Sequence, residues 1–506
     1  MEEHKYINCF PGYEKVIEWN AEGKKIVHNM YRGTDLGLGG YVYFEEGIYI
    51  NVALVDVSNM HGGSIIALNK FGDKTKNFAD VREANLAIKH KEFDKLKTLM
   101  GGKLAKYIDD PNTDWKAMRT ALKLVSNSTF GVSAATFDNP LRDSRDDNDI
   151  IALRGALFMR TLQDEVVNRG YKVAHIKTDS IKIPNATPEI VKFCMEFAKV
   201  YDYEFEFEAV YDKLCLVNGS TYVARYMSTE DCQRLYNYIP AENKEHEESG
   251  NMWTATAAQF QQPYVFKTLF SHEPIEFKDM CEVKSVKSAL YLDFNEDLSD
   301  VSGLEDAVSK WNKSLKKLNV LENELQNSKN GFGRKVEEVQ KDLDKEDRAI
   351  WRQQLYLQNA LGTDYIGSSL MDLALSEIDK GHKYQFIGGV GLFCPMVDGA
   401  GGGLLVRTDN NGGYAAVTGT KGYRWMESEA VELTEKKDLV NHDYYRVLVD
   451  EAVKDITSWC EETNKKTGST YTFEWFVSDD PVVKSEPVPD FMNVPIDSDE
   501  EVPFEE

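Results

Sequence analysis

Two aspartates and a Lys-Asn pair are the residues whose setting points to chemistry. Asp179 lies in residues 171–183, YKVAHIKTDSIKI, where apolar and polar residues alternate on both sides of Lys177-Thr178-Asp179-Ser180. That pattern predicts two short strands joined by a tight turn, with a rigid, exposed carboxylate at the tip that can hold a metal. Asp56 lies near the end of the mostly apolar run NVALVDV, residues 51–57. An unpaired charge on a buried strand is costly, so Asp56 either caps the turn that follows or ligates a metal. Lys123 and Asn127 are i, i+4 neighbours on a predicted helix and point the same way. Arg82 and Lys89 lie two turns apart on one face of an earlier helix. Two carboxylates from separate strands suit Mg²⁺, which prefers a few carboxylates plus substrate phosphates. Paired metals of this kind serve phosphoryl transfer. Arg82, Lys89, Lys123 and Asn127 would then supply cations and a donor to a triphosphate. No Gly-rich loop followed by Lys-Ser/Thr occurs, which argues against a P-loop site. Each signal alone has an ordinary reading, a solvated helix face or a plain turn. Their joint order and spacing are what carry weight.

The elements that must position these residues can be read in order. Residues 1–55 read as turns and strands, with a Gly-rich turn entering a strand at 36–43, LGLGGYVY. Residues 58–64, SNMHGGS, read as a turn whose glycines let backbone approach a ligand. Residues 80–99 have helical period and are broken by Gly101-Gly102; a second helix spans about 114–129 and closes at Phe130-Gly131. A charged loop at 144–149 leads into a long amphipathic helix over 149–168. The Asp179 hairpin follows, then a helix over 188–203 and a strongly alternating hairpin over 204–226 that turns at Asn218-Gly219. This order predicts an α+β fold, an antiparallel sheet backed by helices. Beyond 236 come a polar acidic linker (240–251), an apolar-aromatic cluster (253–270) and a helical hairpin over 303–360 turning near Asn330-Gly331. A Gly-rich β module (386–426), a helix over 443–463 and an acidic tail predicted to be disordered complete the chain.

A chain of 506 residues is too long for one core, so two or three domains are expected. An apolar fraction of 42% suits a folded soluble protein, and no apolar run is long enough to span a membrane. The polar, acidic N-terminus argues against a secretory signal. The seven Cys are scattered, odd in number and free of CxxC pairs, which predicts reduced thiols in a cytoplasmic protein without structural zinc. A net charge of −25 argues mildly against a nucleic-acid partner. The balance is uneven, however: residues 82–123 are locally basic, while the tail after Asp490 is strongly acidic with no Lys or Arg.

Taken together, these motifs resemble those of family B DNA polymerases of the type carried by tailed bacteriophages. That family's first motif is an Asp followed five residues on by Tyr, often with Ser-Ile-Ile after it; here Asp56 is followed by His61, and Ser64-Ile65-Ile66 comes one residue late. The second reads Lys, three residues, Asn-Ser, one residue, Tyr-Gly; here it is Lys123, Asn127-Ser128, Phe130-Gly131. The third, Asp-Thr-Asp-Ser on a hairpin, appears as Lys177-Thr178-Asp179-Ser180. A Lys-x-Tyr element is represented by Ser220-Thr221-Tyr222 without its Lys, and Gly39-Gly40 resembles the Gly-Gly turn before the first motif. The motif-bearing resemblance covers roughly residues 30–230, and 253–270 is similar to sequences that follow the palm in phage enzymes.

The resemblance implies a right-hand polymerase with an antiparallel-sheet palm, helical fingers and a mixed helical and β thumb. Its implied segments are 1–78 (N-terminal strands and first part of the palm), 79–135 (fingers), 136–240 (palm with catalytic hairpin), 241–380 (thumb), 381–490 (Gly-rich β module and C-terminal helix) and 491–506 (tail). Asp56 and Asp179, with Val57, would hold two Mg²⁺ ions while a primer 3′-hydroxyl attacks a dNTP. Arg82, Lys89, Lys123, Asn127, His61 and Phe130 would bind the dNTP. Lys123 would also protonate the leaving pyrophosphate, and His61 would lie under the sugar. Gly39, Gly40, Thr178 and Tyr222 would contact DNA. Lys177 replaces one acid of the third motif, and His61 replaces the family's sugar-selecting Tyr. About 55 residues precede Asp56, too few for the family's proofreading exonuclease, so a separate exonuclease-bearing polypeptide is the expected partner, alongside primer-template DNA. The acidic tail would suit a clamp or host factor, and the location would be the cytoplasm of an infected host. Arg407, Lys421 and Arg424 of the Gly-rich module would grip duplex backbone. The competing reading is a polymerase-shaped DNA-binding subunit without catalysis.

Overall fold

The computed structural model describes residues 9–20, 23, 25–133, 135, 137, 139, 141, 150–294, 299–329, 333–381, 384–408 and 414–480. The expected charged loop at 144–149, the helical-hairpin turn at Asn330-Gly331 and the acidic tail lie outside the described residues.

Three strands, β1 (Glu14–Trp19), β2 (Lys25–Tyr31) and β3 (Thr34–Asp35), open the chain as a small antiparallel sheet. β4 (Val42–Phe44) and β5 (Gly47–Val57) follow, then α1 (Met60–Ala67), α2 (Thr75–Lys89), α3 (Trp115–Ser133) and α4 (Ile150–Asn168). β6 (His175–Lys177) and β7 (Ser180–Pro184) form the expected hairpin, with α5 (Pro188–Val200) after it. β8 (Phe205–Asn218) and β9 (Thr221–Tyr226) form the second hairpin, followed by α6 (Thr229–Tyr236), α7 (Ala241–Ser249), β10 (Trp253–Thr256), α8 (Ala258–Gln261) and α9 (Pro263–Phe266). Then come β11 (Glu282–Asp293), α10 (Ser299–Lys329), α11 (Val336–Leu361), α12 (Gly367–Gly381), β12 (Tyr384–Met396), β13 (Leu404–Thr408), β14 (Tyr414–Ala416), β15 (Arg424–Glu427), α13 (Ser428–Leu433), α14 (His442–Thr467) and α15 (Phe473–Val477). Helix and antiparallel sheet mix as an α+β fold requires. No helix among the described residues is long and apolar enough to cross a membrane.

The chain divides into two compact units, 1–274 with 448–506, and 275–447. In the first, seven antiparallel strands run in the order β10-β9-β8-β5-β7-β6-β4. Side chains alternate across a strand, so Ala53, Val55 and Val57 of β5 and Ile181 and Ile183 of β7 share one face. There they pack on Met60, Leu157, Cys194 and Leu235 from the covering helices. Val52, Leu54 and Asp56 fall on the other face, in register with Pro184, Lys182 and Ser180 of β7. The pairing of β5 with β8 shifts by one residue between Leu54 and Val55, which leaves Glu208 as the extra residue of a bulge. A further core joins Cys215, Val223, Trp253, Phe260, Ala452, Ile456 and Phe476, and so absorbs the aromatic cluster at 253–270. In the second unit, the strands run β14-β13-β11-β12-β15, and α10 to α12 share Leu304, Trp311, Leu357, Leu370 and Ala374. The helical hairpin and the Gly-rich strands thus lie in one unit.

Four local expectations are corrected. The helix expected over 80–99 ends at Lys89, with short 3-10 turns at Phe93–Lys97 and Leu99–Gly102 after it, and the helix expected to close at Phe130-Gly131 runs on to Ser133. Residues 58–64 are not a turn: α1 starts at Met60, because Asn59, in the left-handed region at φ 53°, caps it by accepting from the Gly62 amide. Gly63 permits contact with Tyr203, whose ring a Cβ would meet at 3.0 Å. Residues 240–251 are not a linker but hold α7. Its buried Asn243 accepts from the Val210 amide and donates to the carbonyls of Val210 and Met227, each at 2.8 Å. Tertiary anchoring of one side chain outweighs the acidic composition.

Candidate functional site

β5 delivers Asp56 to the end of its row, between Ser180 of β7 and Glu206 of β8. Asp179 stands in the β6–β7 turn, next to Thr178, which adopts φ 61° to close it. The Val57 amide donates to the Asp179 carbonyl at 2.9 Å, so backbone alone holds the Asp179 turn beside the end of β5. Burial, then the charges of Asp179, Glu208 and Glu206, push the Asp56 carboxyl up to about 8, against the pull of Lys182. Burial likewise raises Asp179, with its own backbone, His61 and Lys182 opposing. Burial raises Glu208 as well. Glu206 goes the other way: despite burial, hydrogen bonds from Lys89 and Ser58 hold it below the usual carboxylate range. Crowded, half-desolvated carboxylates of this kind are what a divalent cation relieves, and two oxygen donors plus substrate phosphate suit Mg²⁺. Among the described residues no three His, Cys, Asp or Glu side chains converge tightly enough to hold an ion by themselves.

α3 meets the same place through two contacts. The Asn59 amide donates to the buried Ser126 hydroxyl at 2.9 Å. Phe130 stacks on His61 with centroids 4.0 Å apart and planes 9° from parallel. Lys123, Asn127 and Phe130 follow i, i+4, i+7 and so share one side of α3. The stack therefore turns the exposed Lys123 and Asn127 toward the His61 side. Arg82 and Lys89 of α2 are already engaged. Arg82 donates to the Ser58 carbonyl at 2.8 Å, and Lys89 is bonded to Glu206. Both tie α2 to the sheet beside Asp56.

The expected DNA-contacting residues fall in two places. Gly40 lies against Thr178: a Cβ on Gly40 would stand 2.5 Å from the Thr178 hydroxyl, and the Thr178 amide donates to the Tyr41 carbonyl at 2.9 Å. Gly39 precedes it with open space around it. Tyr222 is on β9, but the sheet curls until the β8–β9 turn meets β6 and β4. Nε2 of His175 is 3.1 Å from the Gly219 carbonyl, and a Cβ on Gly219 would be 2.8 Å from Phe44. The curl brings Tyr222 over Lys182, whose ammonium is 4.6 Å from the ring centre. Lys177 is exposed at the end of β6. Glu206, Glu208, Ser58 and Lys182 were missed from the sequence. The alternation over residues 204–208, EFEFE, did carry a signal, since acids spaced by two share a strand face.

No family model and no curated protein matches the chain. Among solved structures, a family B DNA polymerase from the archaeon Pyrobaculum calidifontis matches over 52% of this chain and 38% of its own, at 11% identity and a TM-score of 0.29. The chain thus spans well under half of that polymerase's length, and a likeness this loose assigns neither activity nor residue roles.

Proposed function

We propose that the chain is a template-directed DNA polymerase of family B type, adding dNTPs to a primer 3′-hydroxyl by two-metal phosphoryl transfer. The observation that supports it best is the convergence of three separate motifs: Asp56 and Asp179 are joined through the Val57 amide, and α3 is brought to them by the His61–Phe130 stack. Asp56 and Asp179, with Val57 beside them, would hold two Mg²⁺ ions. Bound there, Mg²⁺ would lower the pKa of the attacking hydroxyl and neutralise charge on the phosphates. Lys123 would bind the phosphates and give a proton to the departing pyrophosphate, with Asn127 donating beside it. The His61 ring, held flat by Phe130, would lie under the sugar. Gly39, Gly40 and Thr178 would guide the template, and Tyr222 the primer strand.

One observation favours the second reading, a DNA-binding subunit without catalysis: Arg82 and Lys89, expected on the triphosphate, already have protein partners. Primer extension with Mg²⁺ decides. Wild type is expected to incorporate dNTPs, and Asp56→Asn and Asp179→Asn are expected not to. Primer-template binding without incorporation by wild type would overturn the polymerase in favour of the second reading.

A further inference from the structure

Lys182 has no part in the reaction above, yet its surroundings are built around a cation. It lies mid-strand on β7 and is only 3% exposed, so its ammonium does not reach water as a buried-stem lysine usually does. It pairs with Leu54, one pleat below Ser180, so Asp56 stands two residues along the same row. Its ammonium is 3.4 Å from Nδ1 of His175. The Gly219 carbonyl beside Nε2 can only accept, so Nε2 carries the ring proton and Nδ1 offers a lone pair to Lys182. Burial and then the Lys182 charge lower the His175 pKa to about 4, which keeps that ring neutral. The Tyr222 ring covers another side of the ammonium. Burial pulls the Lys182 pKa down to about 8, while the charges of Glu208, Asp56 and Asp179 hold it up and that of Lys177 opposes them.

We propose that Lys182 is a positioning residue of the candidate site: its buried ammonium, fixed by His175 and Tyr222 on the strand row that carries Asp56, is the built-in positive charge of the site before any divalent cation arrives. It thereby sets how tightly that cation binds, because a fixed positive charge one pleat away opposes an incoming ion. The proposal rests on Asp56 and Asp179 being the metal site.

Mn²⁺ alone, titrated into the full chain without DNA or nucleotide and read by loss of its free EPR signal, tests it. Asp56→Asn should abolish the wild-type binding and so mark the site; unchanged binding there overturns the proposal. Lys182→Met is expected to lower the Mn²⁺ midpoint at least about threefold, and Lys182→Arg to stay closer to wild type than that. A smaller change in Lys182→Met, or a Lys182→Arg that behaves like Lys182→Met, overturns it. Should Lys182→Met not fold, Lys182→Met/Glu208→Gln, which removes one charge of each sign, is expected to fold. Failure of that double variant where Glu208→Gln alone folds also overturns it. Nucleotide incorporation is not read in this titration, so absence of polymerase activity in wild type and absence of the Mn²⁺ shift are separate results.

Discussion

Replacing Asp56 by Asn should make the metal-free protein more stable at neutral pH. The Asp56 carboxyl keeps its proton up to about 8 when folded, against an ordinary value of 3.8. The sign follows from proton counting. Below pH 3.8 both states are protonated and the group contributes nothing. Between 3.8 and about 8 the unfolded chain releases the proton that the folded one retains, so stability falls as pH rises through that window. Above it the penalty is complete. At about 1.36 kcal/mol per pH unit, its ceiling is about 5–6 kcal/mol. Asp179 and Lys182 readjust around the change, so about 2–3 kcal/mol is the expected gain in Asp56→Asn, or a few degrees in melting temperature. Melting in EDTA across that pH window measures it: the wild-type curve should drop while the variant stays nearly flat. Mg²⁺ should raise the wild-type midpoint and leave Asp56→Asn unmoved, because only the charged pair binds it. An Asp56→Asn protein no more stable than wild type in EDTA above pH 8 would refute the crowding of carboxylates argued here.

Three further outcomes follow from single contacts. Lys123 is exposed, so Lys123→Ala should leave the melting temperature unchanged while lowering kcat/KM for dNTP incorporation about 100-fold or more, measured by single-nucleotide extension. His61→Ala removes the ring that stacks on Phe130, and should reduce the preference for dNTP over rNTP about tenfold in the ratio of kcat/KM values, with His61→Tyr restoring it. Gly40→Ala drives a methyl into the Thr178 side chain and should cost about 1–3 kcal/mol in chemical denaturation, partly recovered by adding Thr178→Ala.

Strand parity and helix period made much of this site legible. The alternation around Asp179 marked its hairpin, and the i, i+4 spacing of Lys123 and Asn127 marked their shared side. What those periods cannot encode is how far a sheet curls or where a bulge falls. Lys182 is the third residue of SIKI, in step with Ser180, and reads as an ordinary strand lysine turned to water. It becomes a buried cation only because the β8–β9 turn folds over β6, a contact between residues 44 apart in sequence. Glu208 belongs to the same case. Strict alternation would place it in line with Glu206, but the one-residue shift opposite Leu54 and Val55 makes it the unpaired residue of the bulge, and its charge acts on Lys182 and Asp56. Arg82 and Lys89 show the converse. Their helical spacing was read correctly, but Ser58 and Glu206, which engage them, come from the residue after β5 and from β8. The charge balance of the site is therefore set by long-range contacts, while its motifs are set by local ones. A sequence reading finds the acids first and the cations that restrain them only once the sheet is closed.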